Sequence, residues 1–348
     1  MGLGCHISAR LAACFWTSFY ILTLCLLNFS GADPGLFQDL GLKVLPDISK
    51  INISINEYTR MMNTYLQMRE NSVDDATPVP KLVTFKLDRK VAWRSKVPSV
   101  RLRFPVAPNR DAELQSAQLR ILTPPQHNDV SSVTVQVNLL LGSRRKRLIE
   151  ERTFYLSRNS SKWCEADVSS AMRLWLSGEV NLGIELVCLD RKCNLNPLEA
   201  GITTLLHTSE SRRVRRSIYH KERRTDCHKS RQKRRCCRQN MKVTFSKLEF
   251  PEMNFIVEPK VYEAGYCHGL CPPNFNHATN HSRIQSLMHQ MEKRNASIRT
   301  SRSRIIPKAC CAPSKLGSLE ILLVDKDDPS KLMVEKWDNM KVIECACS

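Results

Sequence analysis

Nine of the fifteen cysteines in this 348-residue chain lie between Cys227 and Cys347. They run as Cys227, the adjacent pair Cys236-Cys237, then Cys267 and Cys271 on either side of Gly269. A second adjacent pair, Cys310-Cys311, and Cys345-Ala346-Cys347 complete the set, followed by Ser348. Thiols at this density either ligate a metal as thiolates or oxidise to disulfides. A zinc reading would recruit His228, His268 and His281, but the spacings are not the usual ligand spacings. Cys310 and Cys311 are too close to bond each other without strain, so each is expected to have its own partner. Eight cysteines already admit about a hundred pairings, and spacing alone leaves the connectivity open. No serine, histidine and acid constellation is identifiable. The chain reads as a non-enzyme with no cofactor and no metal.

Short elements must hold these cysteines. Met241, Val243 and Phe245 alternate with polar residues, the pattern of a half-buried strand. Phe255 to Val257 and Val261 to Tyr266 are expected to continue a two-stranded ribbon. Ser282 followed by Gln285 has capping-box spacing. Ile284, Leu287, Met288 and Met291 then share one helical face, which covers either this domain's own core or a partner. Leu319 to Val324 and Leu332 to Val334, joined through residues 325 to 329, read as a second ribbon, and Met340 to Ile343 lead into the last cysteines.

Cys-His-Gly-Leu-Cys at 267–271 and the final Cys-x-Cys have the spacing of a growth-factor cystine knot. Residues 227–348 resemble the mature domain of the transforming growth factor-β superfamily, a small disulfide-rich fold of two β-fingers and one helix. Nine cysteines are similar to the TGF-β and activin-like branches. The resemblance implies the bridges Cys227–Cys237, Cys236–Cys311, Cys267–Cys345 and Cys271–Cys347, with Cys310 left for an interchain disulfide. Two of these bridges close a small ring through which the third passes. Gly269 stands where a Cβ would point into that ring. The superfamily's helix packs into the partner protomer, which assigns Ile284, Leu287, Met288 and Met291 to a dimer or receptor surface. The superfamily often carries a tryptophan pair near the first finger tip. Residues 249–255 have none, a departure that makes the chain similar to the arthropod maverick ligands.

Arg10, the uncharged run from Leu11 to Ala32 and the small residues Ser30-Gly31-Ala32 have the layout of a signal peptide over 1–32. The expected compartment is therefore extracellular, where disulfides persist. Asn-x-Ser sequons at Asn52, Asn159, Asn280 and Asn295 are candidate N-glycosylation sites. The formal charge of +19 invites a nucleic-acid reading. Export excludes it, and much of the charge sits in basic clusters that proteases read.

Residues 33–216 read as a second domain, an α+β propeptide made of an N-terminal helix and an antiparallel sheet. Leu45, Ile48, Ile51, Ile55, Tyr58, Met62, Tyr65 and Met68 recur at three- and four-residue steps, an amphipathic helical stripe beginning after Pro46. Val83 to Leu87, Val100 to Phe104, Ala117 to Leu122, Val133 to Leu141 and Leu182 to Val187 alternate as strands. Trp163 to Val168 leading into Ala171 to Leu176 resembles the D-V-T…W-L segment of superfamily propeptides, where Cys164 is an addition. Cys188 and Cys193 suit either a local bridge or bonds between chains. No Arg-Gly-Asp occurs, so integrin-driven release has no support.

Arg213-Val214-Arg215-Arg216 fits the R-x-[K/R]-R pattern of furin-like convertases, whose acidic subsites pair with clustered guanidinium groups. Cleavage after Arg216 would leave residues 217–348 as the mature domain. Arg144 to Arg147 is either a secondary cut or a surface loop. Arg231-Gln232-Lys233-Arg234 also matches, inside a restraining disulfide loop. Arg231, Lys233, Arg234 and Arg235 are candidates for binding heparan sulfate. The resemblance implies a secreted, disulfide-linked homodimeric growth factor that engages type I and type II receptor serine/threonine kinases and signals through Smads. Its own propeptide is a further partner. The alternative is a secreted cystine-knot antagonist that occupies ligand or receptor without signalling.

Overall fold

The computed structural model describes residues 46–71, 78–93, 98–126, 132–142, 144–190, 195–207, 226–227, 235–248, 255–296 and 306–348. The expected signal peptide, the Arg213–Arg216 motif, Cys193, and Arg231, Lys233 and Arg234 lie outside them, as does the tip of the first finger.

A short 3-10 turn, Ile48–Lys50, precedes helix α1, Ile55–Asn71. The helix begins after Pro46, as expected, but far enough along to leave out the first residues of the apolar stripe. The Ser54 hydroxyl accepts a hydrogen bond from the Glu57 N–H at 3.1 Å, an N-cap that starts the helix at Ile55. Ile48 and Ile51 therefore fall off the helical face. Ile55, Tyr58, Met62, Tyr65 and Leu66 are its buried side, whereas Met68, expected on the stripe, is exposed.

Among the described residues nine strands follow in the N-terminal half: β1 Lys81–Lys86, β2 Arg89–Trp93, β3 Ser99–Arg103, β4 Glu113–Thr123, β5 Ser132–Leu140, β6 Lys146–Tyr155, β7 Lys162–Asp167, β8 Ile184–Cys188 and β9 Glu199–His207. They form two antiparallel sheets, ordered β1-β9-β4-β7 and β2-β3-β8-β5-β6. Alternating residues of both line one core: Leu102 and Val135 from one sheet, Leu119 and Ile202 from the other. Helix α2, Ser169–Ser177, adds Met172 and Trp175 to that core. Gly178 ends it in the left-handed region, φ +107°, with Gly178 and Glu179 N–H groups returning to Trp175 and Leu174 carbonyls.

The cysteine-rich half has β10 Cys237–Gln239, β11 Lys242–Thr244, β12 Ile256–Glu258, β13 Val261–Glu263, β14 Tyr266–His268, helix α3 Asn280–Ala296, and two long strands, β15 Cys311–Val324 and β16 Leu332–Cys347. β11 pairs with β13 and β10 with β14. β12 does not continue the first ribbon as expected. It pairs with β15, so the second ribbon is a three-stranded sheet, β12-β15-β16. Phe245 turns into a 3-10 segment instead of continuing β11, and its ring stacks on Tyr262 and meets Trp337 edge-on. The start of α3 also differs from the expected Ser282–Gln285 box. Thr279 caps it one turn earlier: the Ser282 N–H donates to Thr279 Oγ1 and the Thr279 N–H to Ser282 Oγ, both at 3.2 Å. Gln285 instead donates to the Pro307 carbonyl at 3.0 Å.

Helix α1 joins the halves. It packs on β1 and β9 of the N-terminal half and on β15 and β16 of the cysteine-rich half. Residues 46–348 cohere as one unit. Among the described residues no helix is long and apolar enough to cross a membrane.

Candidate functional site

Four bridges join Cys227 to Cys237, Cys236 to Cys311, Cys267 to Cys345 and Cys271 to Cys347. The last two connect the segments 267–271 and 345–347 into a ring. The sulfurs of Cys236, Cys271 and Cys347 lie within 4.8 Å of one another, so the Cys236–Cys311 bridge sits against that ring. All three are half-cystines, which leaves no thiolate there for a metal. Gly269 has φ +123°, and a Cβ on it would lie 2.2 Å from the Arg235 carbonyl oxygen and 2.9 Å from the Cys236 nitrogen. The chain entering the knot passes where a side chain would stand. Among the described residues, Ala309, Val342 and partly buried Phe275 add the apolar cover around this centre. With each bridge worth about 2–4 kcal/mol, disulfides stand in for a core.

Cys310 is exposed and makes no disulfide in the chain. Its backbone is held by two hydrogen bonds with Ser348, at 2.7 and 2.8 Å, which extend the β15–β16 pairing past the knot. Ile284, Leu287, Met288 and Met291 on α3 are 59%, 41%, 40% and 56% exposed, so their face is not spent on this chain's own core. Cys188 is buried and disulfide-bonded. Cys164 is a buried free thiol, and burial pushes it up to about 12, which keeps it protonated and unreactive. Of the sequon asparagines, Asn159 is exposed and Asn280 is the first residue of α3. Asn52 accepts from the Trp163 N–H at 2.7 Å, and Asn295 lies in the last turn of α3.

Of the basic stretch ahead of the knot, Arg235 is exposed, its guanidinium 5.2 Å from the Phe275 ring centroid. Arg238 is buried. It donates to the Val342 carbonyl at 2.6 Å and pairs with Asp226 and Glu263, both at 3.2 Å. That cation is a structural clasp and is not free for a polyanion.

The contact between the halves was not foreseen residue by residue. The Asn52 N–H donates to the Pro329 carbonyl at 3.0 Å, and the Leu332 N–H to Glu57 Oε1 at 3.2 Å. Beneath α1 the buried Arg120 guanidinium lies 3.8 Å from the Tyr58 ring centroid and reaches Glu165 at 3.0 Å. Burial pushes the Glu165 carboxyl up, and Arg120, Lys260 from the cysteine-rich half and Arg152 together hold it below its ordinary value. Glu258 of β12 is buried, and burial pushes its carboxyl up despite Lys260 and Arg69 of α1. Arg120 alternates with inward-facing Leu119 and Ile121, so in the sequence it reads as a solvent-facing strand residue. Tyr58 of α1 lies over it.

Residues 51–217 match the family model of the TGF-beta propeptide, and residues 235–347 match that of the transforming growth factor beta like domain. Over 145 residues the chain is 36% identical to bone morphogenetic protein 4 of Mus musculus, an alignment covering 40% of this chain and 31% of that protein. The first match falls on the helix-covered sandwich and the second on the knot. The chain therefore belongs to the transforming growth factor-β superfamily, as a ligand precursor.

Proposed function

We propose that the chain is the precursor of a secreted dimeric growth factor. It is cut after Arg216 by a furin-like convertase and acts by joining type I and type II receptor serine/threonine kinases to activate Smads. The observation that carries this reading is the pairing of an exposed unbonded Cys310 with an uncovered apolar face on α3, in a domain with little core of its own. Both features call for a second copy: one to complete a disulfide, the other to bury Ile284, Leu287, Met288 and Met291. A two-fold dimer presents each receptor epitope twice and gains avidity without new contacts. The domains proposed are a signal peptide over 1–32, a propeptide over 33–216 and the mature ligand over 217–348. Asn52, Asn159, Asn280 and Asn295 are proposed to carry glycans. Arg231, Lys233, Arg234 and Arg235 are proposed to hold the ligand on heparan sulfate.

The test is to express the chain in cultured cells, blot the medium, and apply the purified mature dimer to a receptor ectodomain panel and to Smad-reporter cells. The expected result is a convertase-dependent fragment, receptor capture and phosphorylated Smad. Receptor capture without Smad phosphorylation would favour the antagonist.

A further inference from the structure

We propose that Arg144-Arg145-Lys146-Arg147 is a second convertase site that the folded propeptide keeps closed, with Glu185 as its latch. The proposal takes the kind of protease from the processing reading above. The motif satisfies R-x-K-R at its side chains, and Arg144, Arg145 and Arg147 are exposed. Its charges are therefore in view of an acidic protease cleft.

The backbone is not available in the same way. A protease must draw the residues on both sides of the scissile bond into an extended, unpaired form. Here β6 begins at Lys146, and Lys146, Arg147 and Leu148 are paired with Leu140, Leu139 and Asn138 of β5. The Leu141 N–H donates to the Arg145 carbonyl at 2.9 Å and closes the turn. Ile149 packs against the sandwich core.

The lysine side chain is committed as well. Lys146 Nζ lies 2.6 Å from Glu185 Oε2, and Arg101 of β3 holds the other carboxylate oxygen at 3.0 Å. Glu185 is only 5% exposed, while Lys146 is half exposed. Burial pushes the Glu185 carboxyl up, and the hydrogen bonds from Lys146 and Arg101 bring it below its ordinary value. Lifting Lys146 into a protease subsite would leave a buried carboxylate with one cation fewer, which is costly. Opening the site thus requires both unzipping the start of β6 and breaking the latch.

The cut itself is a hydrolysis. Water gives its hydroxyl to the Arg147 carbonyl carbon and its proton to the departing Leu148 amine. It would divide the propeptide within the first, turn-proximal residues of β6, leaving β5 on one fragment and β6 from Leu148 onward on the other. A precursor whose sandwich has formed keeps the bond, and one whose sandwich has not formed is cut in the half that covers the growth factor. The motif would then report on folding.

The experiment uses the full chain purified from convertase-deficient cells, incubated with furin and followed by electrophoresis and terminal sequencing. A synthetic peptide of residues 140–152 is cut in parallel. The peptide should be cleaved after Arg147, and the folded chain at least about a hundredfold more slowly there, the scale set by local opening. Cleavage after Arg216 in the same tube is read separately, so its failure would count against the processing reading alone. Glu185→Gln should speed the cut after Arg147 by about tenfold or more, the order expected from losing a buried charge partner. In case that variant does not fold, the wild-type chain is also cut across a urea series. The peptide reports protease activity at each point, and the Arg147 cut should rise with the unfolding signal. An uncut peptide would overturn the proposal, as would a folded chain cut as fast as the peptide. So would a folded Glu185→Gln chain cut no faster than wild type, or a rate that stays flat through unfolding.

Discussion

Glu57, in the first turn of the propeptide helix, accepts a hydrogen bond from the backbone N–H of Leu332, the residue that opens β16 of the growth factor. The donor is a strand-end N–H on the ligand's long sheet, and the acceptor is held in place by Arg60 at 2.9 Å. With Asn52 on Pro329, it pins the start of α1 to the tip of the second finger.

Met62, on the buried side of the same helix, has no exposed surface. Met62→Ala should cost about 2–5 kcal/mol, the range for emptying a buried site of this size. After the proposed cut at Arg216, the propeptide of this variant should separate from the growth factor on gel filtration at concentrations where the wild-type complex stays whole. Co-elution of the variant would show that α1 is not what holds the halves.

Glu258→Gln tests the buried carboxylate under α1. Burial raises its folded pKa above the ordinary glutamate value. A carboxyl raised in this way lowers stability above its folded pKa, and the penalty fades as pH falls toward the ordinary value. The glutamine variant has no such penalty. It should melt higher than wild type at neutral pH, and the gap should close on acidification through that window. Glu165 and Glu185, held below the ordinary value, respond in the opposite sense. A variant that melts lower at neutral pH would contradict this.

Much of this was legible in the sequence because it was periodic. Val100, Leu102, Val133, Val135 and Val137 alternate, and those strands lie where alternation puts them. β6 was missed because Lys146 to Arg152 carries charge on both faces: it is an edge strand, and neither face needs to look apolar. The displaced starts of α1 and α3 were set by Ser54 and Thr279, single cap residues that periodicity does not weigh. Bridge connectivity came from the resemblance, since spacing leaves it open. The cluster of Tyr58, Arg120, Glu165 and Glu258 was illegible because it draws on α1, β4, β7 and β12, residues up to two hundred positions apart.

Gly269→Ala should prevent the knot from closing. The added methyl would overlap the Arg235 carbonyl at 2.2 Å, on backbone that has no room to shift, and at φ +123°. A cost above about 4 kcal/mol is expected. Blots should show the variant retained in cells as mixed-disulfide species. Secretion at the wild-type level would remove Gly269 from the argument.

Cys310→Ser should leave the four intrachain bridges and the fold intact and abolish the covalent dimer. The expected band on non-reducing electrophoresis, after removal of the propeptide, is a monomer. A persistent disulfide dimer would assign the interchain bond to another cysteine.

Ile321, Leu322, Leu323 and Val324 of β15 are each at most 2% exposed. Adjacent strand residues point to opposite faces, so this stretch is covered on both, and α1 packs on that strand. In the uncut chain that contact is intramolecular, and no dilution of the protein weakens it. Under the proposed cut after Arg216 the same contact becomes bimolecular and obeys mass action. Processing would change none of its atoms, yet occupancy of β15 would then depend on how far the secreted pair has diffused from its source. Distance from the producing cell would itself become part of the ligand's activation.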